Sequence, residues 1–129
     1  MTARRRPRAE AAPMIAHVVL FEPKAWLSED ARRAFISSIR DVARNISQVT
    51  SARIGTVESL GVSPENKIGV KTYSYGAVFE FLTPEDLSAY LIHPRHSDLR
   101  KIFWELCEST LIADLRLVDV SSPEADALV

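Results

Sequence analysis

Apolar and polar positions along this chain alternate in some stretches and recur at helical spacing in others, in an order that predicts four strands and three helices. Met14 to Phe21 is an apolar, β-rich run closed by Glu22-Pro23, and it reads as a first strand. Ser28 is an N-cap, with Glu29 and Asp30 in the first turn. Phe35, Ile39, Val42 and Ile46 then recur at four, three and four, which marks one face of a helix over 29–46. Residues 49–60 read as a second strand, and 61–72, with Pro64, Asn66 and Gly69, as a long polar loop. Tyr73, Tyr75, Ala77, Phe79 and Phe81 alternate with Ser74, Gly76 and Glu80 in a third strand. Thr83-Pro84-Glu85-Asp86 starts a short helix, which ends near His93 because Pro94 disfavours α geometry in the residue before it. Ser97 can cap a third helix with an apolar stripe of Leu99, Ile102, Phe103 and Leu106, and 111–120 makes a last strand.

The order β-α-β-β-α-β, with the second helical stretch broken in two, predicts an α+β, ferredoxin-like unit with a four-stranded antiparallel sheet. Right-handed crossovers put both helical segments on one face of that sheet. The first strand is nevertheless apolar on both faces, with His17, Val19 and Phe21 on one side and Val18 and Leu20 on the other. A strand of that kind needs cover twice. The helices supply one cover, so a second copy packed sheet to sheet, a homodimer, is expected to supply the other. One domain over 14–120 is expected, between a disordered basic arm (1–13) and a flexible acidic tail (121–129).

Composition changes this picture little. The 129 residues are 47% hydrophobic and 26% charged, with net charge −1, an ordinary globular balance that argues against a dedicated nucleic-acid binder. Charge is uneven: Arg4, Arg5, Arg6 and Arg8 against Glu10 make the arm +3, while Asp119, Glu124 and Asp126 make the tail −3. The arm reads as disordered, with Met14 an alternative natural start; a basic patch for acidic partners is the sharper reading. The single Cys107 excludes an intrachain disulfide framework and points to a reducing, cytoplasmic setting. It falls one helical turn after Phe103, as buried filler rather than a nucleophile. No apolar stretch approaches the roughly 20 residues that span a bilayer.

The candidate chemistry lies in Tyr90-Leu91-Ile92-His93-Pro94-Arg95-His96, which holds two of the three histidines. Histidine is the side chain whose unperturbed charge change falls nearest neutral pH, and two of them around a proline with a phenol nearby point to a small-molecule site. His93 and His96 are two of the ligands a zinc ion needs, and His17 or Asp114 could add more. The spacing of three with a proline between is not that of a helical zinc motif, and no metal is expected.

Met14-Ile15-Ala16-His17-Val18-Val19-Leu20-Phe21, the stretch Tyr75 to Phe81, the run Tyr90-x-x-His93-Pro94-x-His96 and the closing Leu111-Ile112-Ala113-Asp114 resemble the stress-responsive A/B barrel family. This is the dimeric α+β barrel group that contains olivetolic acid cyclase, a plant polyketide cyclase, and the similarity runs from about Met14 to Asp119. The resemblance implies a homodimeric barrel with a pocket between sheet and helices. It further implies a cofactor-free cyclase or lyase that closes a polyketide-like or β-dicarbonyl chain by aldol chemistry. On that match Tyr90 and His96 drive the closure, with His96 as base and Tyr90 as donor. His17 and Asp114 line the pocket and can orient or assist the base. A further pocket histidine of the family is replaced here by Tyr75, so the substrate contact there differs. Val19, Phe21, Leu99 and Ile112 are candidates for an apolar wall holding a ligand tail.

Plainer roles stand beside these. His93 at a helix end is a structural cap, and His96 is as readily a satisfied histidine as a catalytic one. Tyr90 reads equally as core with its hydroxyl at the edge, and His17 as buried filler with one hydrogen bond. The stripe from Tyr73 to Phe81 is core or dimer interface. Trp104 shares a helical face with Arg100, Lys101 and Glu108, so it is partly exposed or covered by a partner. Two other functions therefore remain open: a non-enzymatic stress-related or ligand-binding homodimer, and a cofactor-independent monooxygenase of the same architecture. Members of the latter group lack the His-Pro-x-His run.

Overall fold

Strand β1 (Ile15–Pro23) is an inner strand of the sheet, and its alternation decides which residues meet the helices. The structure, a computed structural model, describes residues 15–58 and 73–128. The expected basic arm, Met14, residues 59–60 of the predicted second strand and the polar loop lie outside that range. The remaining elements are α1 (Glu29–Asn45), β2 (Ser51–Thr56), β3 (Tyr75–Phe81), α2 (Pro84–Ile92), α3 (Pro94–Leu106), β4 (Cys107–Arg116) and a single turn, α4 (Pro123–Asp126). The sheet is antiparallel in the order β2-β3-β1-β4, which is the predicted ferredoxin-like α+β unit.

Ile15, Val19 and Phe21 of β1 and Ala77, Phe79 and Phe81 of β3 are buried with Phe35, Ile39 and Val42 of α1, Ile46 beyond it, Tyr90 of α2 and Leu99 of α3. The rings of Phe21, Phe35 and Phe103 meet edge to face at 4.8–5.5 Å, each pair worth about 0.5–1.5 kcal/mol beyond its buried area. Val18, Leu20 and Val78 lie on the opposite face, which no helix among the described residues covers. On the same face, Leu111 and Leu115 of β4 are 51% and 49% exposed.

Caps start the helices where expected in two cases. Ser28 Oγ accepts from the Ala31 amide at 3.1 Å and Thr83 Oγ1 from the Asp86 amide at 3.0 Å. The third helix departs from expectation: it begins at Pro94, not after Ser97. His93, extended at φ −67° and ψ 139°, ends α2 and caps α3 by accepting from the Arg95 amide at Nδ1, 3.1 Å away. Pro94 fits the first helical position because no N–H is needed there.

Strand limits follow pairing more than hydrophobicity. The second strand is shorter than 49–60, since Thr56 already faces Tyr75, the first residue of β3. The last strand is Cys107–Arg116 rather than 111–120, because all of β1 pairs with it, from Ile15↔Arg116 to Pro23↔Cys107. Cys107 is buried filler, but as the first strand residue rather than on a helix. The tail expected to be flexible carries the turn α4.

The double role of His93 sets an expected outcome. His93→Ala should lower stability by about 0.5–2 kcal/mol in chemical denaturation, and His93→Asn, a good N-cap, should restore most of it. Equal midpoints for wild type and His93→Ala would show that the cap contributes nothing.

Candidate functional site

The extended residue at His93 turns the chain between α2 and α3, and the turn brings Tyr90 and His96 over the middle of β1. Tyr90 is 2% exposed, with its ring 5.0 Å from that of Phe81, 5.7 Å from Phe79 and 4.6 Å from His96. His17, 3% exposed, points to the same side from β1, its ring 5.6 Å from Tyr90 and 6.5 Å from His96. Directly across the ladder from His17 stands Asp114. Side chains of facing residues share a face of the sheet, and here His17 Nδ1–H donates to Asp114 Oδ1 at 2.5 Å. Three side chains and a carboxylate from four elements thus converge, and the Asp114 side chain is 39% exposed at the edge strand.

Each imidazole has a fixed hydrogen-bonding partner. One of the last carbonyls of α2, that of Leu91, has no partner within its own helix and accepts from His96 Nδ1–H at 3.1 Å. That bond leaves Nε2 of His96 with a free lone pair. Arg100, one turn further along α3, brings its Nη2 within 3.4 Å of the same ring. Burial first, then the positive charge of Arg100, lowers the His96 pKa to about 4, against the opposing pull of the Leu91 carbonyl. His96 is therefore uncharged at neutral pH. Burial, with the Asp114 carboxylate adding to it, raises the Tyr90 phenol far above its ordinary value, so it stays a hydrogen-bond donor. Burial likewise pushes the Cys107 thiol up to about 11, which disfavours a nucleophilic role.

Other expected site residues fall elsewhere. His93 has its Nδ1 engaged as a helix cap and stands outside the imidazole cluster. Tyr75 faces Phe21, four residues along β1 from His17, about 13 Å along the strand. It stacks on Phe21 at 5.8 Å and lines an apolar cavity of about 130 Å³ with Pro23, Arg32, Phe35 and Ile36. Among the expected apolar wall, Val19, Phe21 and Leu99 are core, whereas Ile112 is exposed on the helix side of β4 beside Val19. Arg100 and the Leu91 carbonyl, which hold the His96 ring, are not among the site residues the sequence singles out. The first had a legible signal, the i+4 spacing from His96 on a helix; the second required knowing where α2 ends.

Among the described residues no group of three or more His, Cys, Asp or Glu side chains is arranged to hold a metal. No helix among them is long and apolar enough to cross a membrane. Trp104, 85% exposed, and Trp26, 73% exposed, both face outward.

Residues 15–117 match the family model of the stress-responsive A/B barrel domain. No curated protein matches the chain in sequence. Several solved structures share its fold. A crystal structure of an Arabidopsis thaliana protein superposes with TM-score 0.71 at 20% identity, covering 84% of this chain and 99% of that one. The hydroxynitrile lyase of Passiflora edulis gives 0.68 at 15% identity, over 83% and 95%. A dimeric ferredoxin-like protein from Thermobifida fusca gives 0.62 at 18% identity, over 81% and 92%.

The lowered His96 pKa has a sign that stability measurements read. As pH falls below about 6.5 the unfolded chain takes up the proton first, while the folded one refuses it until about 4. Stability should therefore drop across that window by up to about 3 kcal/mol through this group. His96→Gln should lose less stability over the same interval, at fixed protein concentration. Parallel wild-type and variant curves would mean that His96 titrates normally in the fold.

Proposed function

Because the chain belongs to the stress-responsive A/B barrel family, we propose that it is a small-molecule pocket protein acting as a cofactor-free lyase or cyclase on a polyketide-like or β-dicarbonyl substrate. The observation that carries this reading is the convergence of Tyr90, an uncharged His96 and the His17–Asp114 pair on one face of the sheet. A carbon between two carbonyls is acidic enough for a positioned neutral imidazole to remove its proton. In this reading His96 Nε2 is that base. The Tyr90 hydroxyl donates to the oxygen where negative charge develops, as one half of an oxyanion hole. The substrate's own carbonyls delocalise the electron pair, so the step draws on no bound metal or organic cofactor. The apolar cavity beside Phe21 and Tyr75 is of about the size that accepts one ring, and it suits an apolar end of such a substrate. That a protein of similar fold is a hydroxynitrile lyase supports the lyase class.

The working unit in this proposal is a homodimer. Val18, Leu20, Val78, Leu111 and Leu115 form an apolar face that no helix among the described residues covers, and a second copy packed sheet to sheet covers it. Leu111→Glu should shift the protein toward monomer in analytical ultracentrifugation; an unchanged sedimentation coefficient would place the interface elsewhere. A reducing, cytoplasmic setting suits the single buried thiol.

A second, non-enzymatic reading is favoured by one observation: Tyr90 belongs to the same buried cluster as Phe79 and Phe81. Turnover of β-polyketide and phenolic substrates, set beside thermal unfolding, separates the two. The enzymatic reading expects His96→Ala and Tyr90→Phe each to lose about 10²-fold or more in turnover with melting temperature unchanged or raised. A loss of about 1–3 kcal/mol in both variants, with no turnover by wild type, supports the ligand-binding or structural homodimer.

A further inference from the structure

The cluster holds two imidazoles, and their surroundings differ in a way that assigns them separate work. His96 gives its Nδ1–H to an uncharged acceptor, the Leu91 carbonyl, with a guanidinium 3.4 Å from the same nitrogen. His17 gives its Nδ1–H to a carboxylate. An imidazole so held has a fixed tautomer with its lone pair on Nε2, and the imidazolium formed when it takes a proton is stabilised by the charge behind it. We infer that His17, oriented by Asp114, is a second general base acting on the same substrate as His96. The inference rests on the proton-transfer reading above.

Aldol closure followed by loss of water removes two protons from one carbon, and each imidazole takes one. In the first step His96 Nε2 takes a proton from the methylene between two carbonyls. The C–H electron pair becomes the enolate, whose carbon bonds to a third carbonyl, and the imidazolium returns its proton to the new alkoxide. In the second step His17 Nε2 takes the remaining proton from that carbon. Its electron pair forms the carbon–carbon double bond as hydroxide departs, and the imidazolium proton leaves with the hydroxide as water. Both imidazoles end neutral, and no oxidant or reductant enters. The low proton affinity of His96 suits the first step, where the proton must be given back at once. The carboxylate behind His17 suits the second, where positive charge is held until hydroxide leaves. Tyr90 lies within 5.6 Å of both rings, centroid to centroid, so one donor hydroxyl serves both steps.

Hydrogen–deuterium exchange at C2 of ethyl 3-oxohexanoate, a methylene between two carbonyls, in D₂O, followed by mass spectrometry, reads deprotonation without the natural substrate. Wild type should exceed the buffer rate. His96→Gln should keep at least a tenth of the wild-type exchange, because His17 faces the same carbon and can take either of its protons when His96 is absent, and His96→Gln with His17→Gln should fall to the buffer rate. Asp114→Asn in the His96→Gln background should lose 10-fold or more, because an amide still accepts the Nδ1–H but carries no charge. That variant alters the partly exposed edge strand and decides the matter if the double histidine variant fails to fold. Exchange abolished by His96→Gln alone, or unaffected by Asp114→Asn in that background, overturns the inference and leaves the proton-transfer reading standing. Wild-type exchange at the buffer rate overturns that reading, and the inference with it.

Discussion

A proline cannot follow a residue in helical geometry without a clash between its ring and that residue's backbone, and Pro94 applies this constraint at the one place where the site depends on it. His93 is driven to extended angles, so a single continuous helix from Pro84 to Leu106 is replaced by two that meet at a corner. On an unbroken helix Tyr90 and His96, six residues apart, would point about 120° away from each other. The corner turns both toward β1, with their rings 4.6 Å apart. It also frees the Leu91 carbonyl, which fixes the tautomer of His96. One steric rule thus supplies placement and tautomer together.

The electrostatics of the cluster follow from which elements bring which partners. His96 sits in the first turn of α3, and its burial and the nearby Arg100 both disfavour its protonation. His17 sits mid-strand with a carboxylate across the ladder. Two chemically identical side chains thereby have different partners, a backbone carbonyl and a cation for one and a carboxylate for the other. Asp114, on the edge strand and partly exposed, links the buried pair to solvent.

The sheet carries a second constraint. An inner strand such as β1 pairs on both edges and is apolar on both faces, and three helices packed on one side satisfy only half of that demand. Leu111 and Leu115 of β4 stay about half exposed on the side away from those helices. One strand therefore carries the imidazole cluster on the helix side and part of the apolar face on the other, with His17 and Val18, successive residues, belonging to opposite sides.

How much of this was legible in advance follows from the range of the interactions involved. Ser28, Thr83 and the four-three-four spacing of α1 act within one or two turns of chain, and the elements they mark stand where the sequence placed them. The order of elements and the family resemblance were enough to name the fold and to single out Tyr90, His96, His17 and Asp114. Local signals failed where a distant partner decides. The apolar run 111–120 marked the wrong limits for the last strand because β1, not hydrophobicity, sets its length. Where Tyr75 stands, four residues along β1 from His17 and beside Phe21, follows from the β1–β3 register and not from any local signal. His93, legible as a helix-end histidine, proved to be bonded to an amide of the next helix. The sequence by itself determined the elements, the corner at His93–Pro94 and the residue types of the site, since caps, periodicity and proline sterics are local. Only the tertiary structure decided that Asp114 backs His17 and that Arg100 and Leu91 hold His96, because strand register and helix packing join residues that no local signal connects.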